Sequence, residues 1–286
     1  MNIQVNVASR GPLIAIGGAE DKSREAAILK RVVAFSGKKA PVVGVITTAS
    51  AIPQEVFDGY EEVFSNLGAA EVLDVRIRSR SDAADPDLIA MIERADVIFI
   101  SGGDQMRLTN ILGASPFLKA LRARHAEGAV VAGTSAGAAC QSSTMVYGGA
   151  ATDSLRKGAV KMAAGFGFID GVIIDTHFLE RGRFSRLLEV GATNPEFLGV
   201  GIGEDAAVLF DGNKILAFGP GHVILVDSSN ITHSNVFELN DGEAVTVHDV
   251  KMHALVEGYG YSLSDRRVLG PDELGTNSLE PKIAYT

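Results

Sequence analysis

Apolar residues in this chain fall into short runs that end in glycine-bearing turns, and these alternate with longer segments whose apolar positions recur every three or four residues. Leu13 to Ile16, Val42 to Thr47, Val97 to Ile100 and Ala129 to Ala132 are almost wholly apolar. Strands covered on both faces read this way, and a further strand is predicted around Val72 to Ile77. Between them, Lys22 to Phe35, Gln54 to Leu67, Pro86 to Ala95, a segment opening near Met106, and Pro116 to Glu127 read as helices. Such alternation implies right-handed crossovers and the α/β class: a doubly wound, mostly parallel sheet with helices on both faces.

Further along, Met145 to Ala164 is polar and glycine-rich and reads as a loop over the site. Phe168 to Ile174 and Phe197 to Ile202 read as strands, and Ser185 to Val190 as a helix. From Ala206 the pattern changes to short strands between tight turns: Ala207 to Phe210, Lys214 to Phe218 and His222 to Val226, which suggests hairpins. The tail adds a strand at Ala244 to His248 and an apolar turn of helix near Met252 to Val256. No linker, repeat or low-complexity segment marks a boundary. The 286 residues therefore read as one domain, with a core over 11–227 and a β-rich extension over 228–286.

The stretch Ala129 to Gln141 carries candidate chemistry. Its apolar run leads into Gly133-Thr134-Ser135-Ala136-Gly137, a G-x-S-x-G at a predicted strand-to-helix turn. Flanking glycines allow a bend too tight for other residues and lift Ser135 out of the sheet, where the Ala136 N–H points at whatever the hydroxyl attacks. The pentapeptide alone fits two readings equally, a nucleophile or small residues packing a helix close to a sheet, so context decides. Ser101-Gly102-Gly103-Asp104-Gln105 ends another strand at the same sheet edge, where ligands gather in doubly wound folds. Gly103 is assigned as a second oxyanion donor. Gly17-Gly18-Ala19-Glu20-Asp21-Lys22 ends the first strand but is no phosphate loop, because it lacks the G-x-x-x-x-G-K-[ST] spacing and puts two carboxylates where phosphate oxygens would sit.

Of the six histidines, His177 stands at the end of a predicted strand, on the sheet edge that carries Ser135, and is the candidate general base. Glu204, at another strand end, is chosen over Asp205 and Asp175 as the carboxylate that orients it. The order Ser, His, Glu differs from that of α/β-hydrolases, which ranks that fold second. Arg181, Arg183 and Arg186 crowd the start of the next helix. Cations there oppose the helix dipole, so their clustering suggests a carboxylate-binding site, with Asp175 and Gln105 to hold a cationic or amide group.

Composition narrows the partners. A net charge of −9 argues against nucleic acid as a general partner. There is no H-E-x-x-H and no close His/Asp cluster, so no metal is expected, and no cofactor either. One cysteine, Cys140, excludes an internal disulfide and reads as buried packing. The polar start from Met1 to Gly11, and the lack of any long apolar stretch, lead to the expectation of a cytoplasmic protein without a membrane partner.

At these motifs the chain resembles the cyanophycinases, relatives of the Asp-specific dipeptidase peptidase E in one family of serine peptidases. Gly102 to Gln105, Gly133 to Ala138, Asp175 to Arg186 and Gly201 to Ala206 carry the resemblance, in the family's order, and the spacing of Arg181, Arg183 and Arg186 favours cyanophycinase over peptidase E. The resemblance implies a fold like that of class I glutamine amidotransferases and a homodimer. It implies exo-hydrolysis of cyanophycin, a poly-aspartate chain with arginine on each side-chain carboxyl, to β-Asp-Arg. Ser135, His177 and Glu204 match the nucleophile, base and its partner; Gln105, Asp175, Thr176, Arg181, Arg183 and Arg186 match the substrate pocket. The chain departs at Thr176, where cyanophycinases carry Gln, and the shorter side chain changes the contacts expected there.

Overall fold

The computed structural model describes residues 11–23, 25–150, 152 and 155–275. Residues 1–10, most of the polar start considered above, and 276–286 lie outside them. In chain order β1 (Leu13–Ile16), α1 (Ala27–Ala34), β2 (Val42–Ile46), α2 (Pro53–Asn66), β3 (Glu71–Val75), α3 (Pro86–Arg94), β4 (Val97–Ile100), α4 (Gln105–Leu112), α5 (Pro116–Ala126) and β5 (Val130–Thr134) form the alternating part. Then come α6 (Ala136–Ala139), β6 (Thr144–Gly148), β7 (Lys161–Ala164), β8 (Val172–Thr176), α7 (Phe184–Thr193) and β9 (Leu198–Ile202). The rest is mainly strand: β10 (Ala207–Asp211), β11 (Lys214–Phe218), β12 (Val223–Asp227), β13 (His233–Ser234), β14 (Val247–His248), β15 (Lys251–Leu255), β16 (Gly260–Ser262), β17 (Arg267–Leu269), then α8 (Pro271–Leu274).

Helix boundaries follow local chemistry. Asp85 and Ser115 each precede a proline and accept a backbone N–H from the first turn of α3 and α5, and Asp104 does the same for α4. Each such cap is worth about 1 kcal/mol. By contrast, α1 starts at Ala27 instead of near Lys22, because the Asp21 carboxylate accepts the N–H groups of Ser23 (2.8 Å) and Ala26 (3.1 Å) and folds that segment into a turn.

A nine-stranded sheet runs β17-β16-β11-β10-β1-β5-β4-β2-β3. The five strands from β1 to β3 in that order are parallel, and antiparallel strands extend it beyond β1. Alternate residues face opposite ways: Ile14 and Ile16 pack with α1 and α2, Leu13 and Ala15 with the core that holds α3, α4 and α5. The doubly wound α/β class therefore holds, with added strands from the C-terminal part of the chain.

The pattern predicts His177 and Ser135 on one sheet, but the structure puts them on two. β8 and β9 join β12 and β15 in a separate four-stranded sheet. The edge of β1 that might have received them is filled by β10, with Leu13 opposite Phe210. One face of this second sheet shares the core of the first, through Val172, Ile174, Val200 and Leu225, and α7 covers the other face. The expected helix near Met252 to Val256 is instead β15, since the open edge of β12 offers backbone partners and pairs Leu255 with Val223. The expected loop over Met145 to Ala164 contains the hairpin β6–β7, which buries Val146. Among the described residues no helix is long and apolar enough to cross a membrane.

Candidate active site

Ser135 sits where β5 stops and α6 begins, at φ 51° and ψ −112°, a conformation that an L-residue holds only under constraint from its surroundings. The constraint is close packing. A Cβ on Gly133 would lie 2.2 Å from the Gly137 carbonyl oxygen, and one on Gly137 would lie 2.1 Å from that of Ile100. The Ser135 N–H donates to the Ile16 carbonyl (3.0 Å), which ties the bend to the end of β1.

His177 and Glu204 follow β8 and β9 of the second sheet, and the Gly17-Gly18 turn after β1 joins them to the first. Gly17 donates to the Ala206 carbonyl (2.9 Å), and its own carbonyl accepts the His177 N–H (2.8 Å). The Gly18 carbonyl accepts the Asp205 N–H (3.0 Å). Only glycine fits here: a Cβ at Gly17 would stand 1.9 Å from the Gly203 oxygen, and at Gly18, where φ is +106°, 2.3 Å from His177 Cε1.

The joint brings His177 Nε2 within 3.0 Å of Ser135 Oγ and Nδ1 within 2.7 Å of Glu204 Oε1. A carboxylate only accepts, so Nδ1 carries the proton toward Glu204, and Nε2 is left as the acceptor for the serine hydroxyl. Gly103 lies on the other side of the serine at φ +139°, pressed so close to Ala49 that a Cβ would be 2.2 Å from its carbonyl oxygen. The N–H groups of Gly103 and Ala136 have no protein acceptor among the described residues.

Ser135 and His177 open into a cavity of about 580 Å³, which Gly103, Gln105, Ala136, Thr176, Arg181 and Arg183 also line. Asp175, Arg186 and Glu204 are not on its wall. Asp175 is buried; one oxygen accepts from Arg183 Nη1 (3.0 Å) and the Thr176 N–H (3.0 Å), and the other is 3.1 Å from Arg186 Nε. Burial raises its pKa, and the neighbouring Arg186 and Arg183 charges oppose that rise. Burial likewise lowers the pKa of Arg186, against the pull of Asp175. Asp175 is thus occupied by arginines from α7 and its approach, which explains why they cluster there. Arg183 also donates to the Thr176 carbonyl (2.7 Å), and Gln105 to that of Val146 (3.2 Å). Arg181 is exposed.

Further residues line the cavity, among them Glu20 and Lys22, with Glu55 and Tyr60 of α2. A signal for the first two stood in the sequence. The run from Gly17 to Lys22 ends a parallel strand at the same edge as Gly102-Gly103, so failing as a phosphate loop did not remove it from the site. Cys140 is buried, and burial pushes its thiol pKa up.

Peptidase family S51 matches residues 13–218, a span that holds Ser135, His177, Glu204 and the Gly17-Gly18 joint. The chain belongs to this family. It is a serine peptidase, a hydrolase, and the resemblance that its motifs carry stands. This S51 peptidase is 34% identical over 261 residues to a cyanophycinase from Synechococcus elongatus, covering 91% of this chain and 81% of that protein. It is 35% identical over 264 residues to one from Trichormus variabilis (92% and 89% covered). Identity to one from Geminocystis herdmanii is 34% over 255 residues (88% and 94%). Among solved structures, a peptidase from an acI-B1 Actinobacterium superposes with a TM-score of 0.64 at 19% identity, over 89% of this chain and 98% of that one, and shares the fold.

Proposed function

We propose that this S51 peptidase hydrolyses cyanophycin from a chain end and releases β-Asp-Arg dipeptides, with Ser135 as nucleophile, His177 as general base and Glu204 as its partner. The observation that carries the reading is the hydroxyl–imidazole–carboxylate chain at 3.0 and 2.7 Å, opening into a cavity lined by charges of both signs. Similarity to proteins named cyanophycinase supplies the substrate.

In this mechanism Nε2 takes the Ser135 proton as Oγ bonds to an aspartyl carbonyl carbon, and the N–H groups of Gly103 and Ala136 hold the oxyanion. Losing one such donor raises the barrier by about 3 kcal/mol. The imidazolium, stabilised by Glu204, then protonates the leaving amine as the C–N bond breaks. Water, deprotonated by His177, releases the acyl group and restores the serine. Arg181, Arg183, Gln105 and Thr176 contact the bound unit from the wall, and Asp175, itself paired with Arg186, holds Arg183 in place from behind it. A homodimer belongs to the same proposal, and sedimentation equilibrium tests it.

Mass spectrometry of the products from purified cyanophycin tests the whole. Free β-Asp-Arg is expected from the wild-type protein, and almost none from Ser135→Ala, since removing a catalytic serine costs on the order of 10⁶ in kcat. Release at a similar rate by the variant would rule out the nucleophile. Turnover of small Asp-X dipeptides without attack on the polymer would assign a peptidase E-like substrate instead.

A further inference from the structure

Lys22 belongs to none of the machinery above, yet it lines the same cavity. Its neighbour Glu20 has a carboxylate almost wholly withdrawn from solvent, with 1% of the side chain exposed, against 42% for Lys22. Glu20 accepts the Tyr60 phenol, and its other oxygen accepts the Thr134 hydroxyl at 2.6 Å. The Lys22 ammonium stands 3.3 Å from Glu20 Oε1 and 4.8 Å from the centre of the Tyr60 ring. Burial and the Glu20 charge raise the Tyr60 pKa, so the phenol remains a donor.

A lysine needed only to neutralise a buried carboxylate would be enclosed with it. Here two O–H donors already satisfy Glu20, and the ammonium is held by a carboxylate and an aromatic face while nearly half of the side chain stays open. Such a cation loses little freedom when an anion joins it, which makes it an efficient anchor. The other cations on the wall differ: Arg183 is engaged by Asp175 and the Thr176 carbonyl, and Arg181, exposed as Lys22 is, has no carboxylate beside it among the described residues to preset it. We propose that Lys22, preset by Glu20 and Tyr60, binds a carboxylate of the substrate. The inference rests on the cyanophycin reading, in which each arginine joined through its amine keeps a free α-carboxylate. Because Thr134 directly precedes Ser135, the anchor and the nucleophile share one hydrogen-bonded support.

The test is calorimetric binding to the Ser135→Ala protein, which does not consume its ligand. The probes are β-Asp-Arg and the same dipeptide with the arginine carboxylate converted to an amide. The acid should bind at least about tenfold more tightly than the amide, the scale of one charged hydrogen bond. Adding Lys22→Met should abolish that preference and leave the amide affinity unchanged. Should the buried Glu20 charge unfold that variant, Glu20→Gln with Lys22→Met removes both charges and must show the same loss. A preference that survives loss of Lys22 would overturn the anchor alone. Failure of the Ser135→Ala protein to bind either dipeptide would overturn the substrate assignment and the anchor with it.

Discussion

Ser135 and His177 have their facing atoms 3.0 Å apart, but they come from different sheets and are fixed in different ways. The serine side is local. Gly133 closes on the Gly137 carbonyl within five residues, and the adjacent strands of the same sheet hold the bend from either side, β4 against Gly137 and β1 through the Ile16 carbonyl. The histidine side is not local. His177 and Glu204 end neighbouring strands of the second sheet, and their placement against Ser135 depends on the Gly17-Gly18 turn, more than a hundred residues earlier in the chain. A reactive group can be encoded by a short motif, whereas its alignment with a base depends on how two layers are joined.

The sharpest way to break this comparison is Gly18→Ala. Its methyl would stand 2.3 Å from His177 Cε1, at a φ that alanine tolerates poorly. Displacing the imidazole by about 1 Å should lower kcat about 100-fold, with the bend at Ser135 left intact. A kcat equal to wild type would show that the joint does not set the alignment.

Behind the cavity wall the expected effect is on stability and not on turnover. Arg186→Met leaves Asp175 buried with Arg183 as its remaining cation, and breaking a buried ion pair from one side costs about 3 kcal/mol. Urea denaturation measures it. Unchanged stability would mean that the pair contributes nothing to holding the start of α7.

An effect confined to acid pH isolates the first sheet's own support. His125 on α5 is buried, and burial depresses its pKa to about 4, partly offset by backbone hydrogen bonds with Gly11 and Pro12. The neutral ring is favoured in the folded state, so this contribution is full above pH 6.5, the ordinary value. It declines as pH falls and is lost below about pH 4, with a limit of about 3 kcal/mol. His125→Gln should flatten that part of the stability–pH curve. An identical slope in the variant would remove His125 as its source.

Much of the fold was legible because the alternating part of the chain is patterned residue by residue. β1, β4 and β11 run over the very residues that hydrophobic patterning predicts, and prolines with capping residues mark α3 and α5. What patterning missed were pairings between distant edges. The five residues of β15 carry too little periodicity to be told from a helical turn, and only the open edge of β12 makes them a strand. Within the site, Ser135 announced itself through its glycines, and Gly103 through its place at a strand end. Asp175 and Arg186 carried the right chemistry for a pocket, but burial against each other took them off its wall. Glu20 and Lys22 follow no motif of their own; the turn after β1, held at the joint between the sheets, brings them to the cavity.

By itself, the order of residues determined the α/β class, the bend at Ser135 and the serine, histidine and carboxylate candidates. These follow from periodicity and from backbone sterics, which act over a few residues. Tertiary structure alone decided that β10 closes the edge of β1, that β8 and β9 therefore stack as a second layer, and that the Gly17-Gly18 turn brings the imidazole to the hydroxyl. Edge pairing and close backbone approach depend on which distant segments compete for the same hydrogen-bonding groups, and no local pattern records that competition.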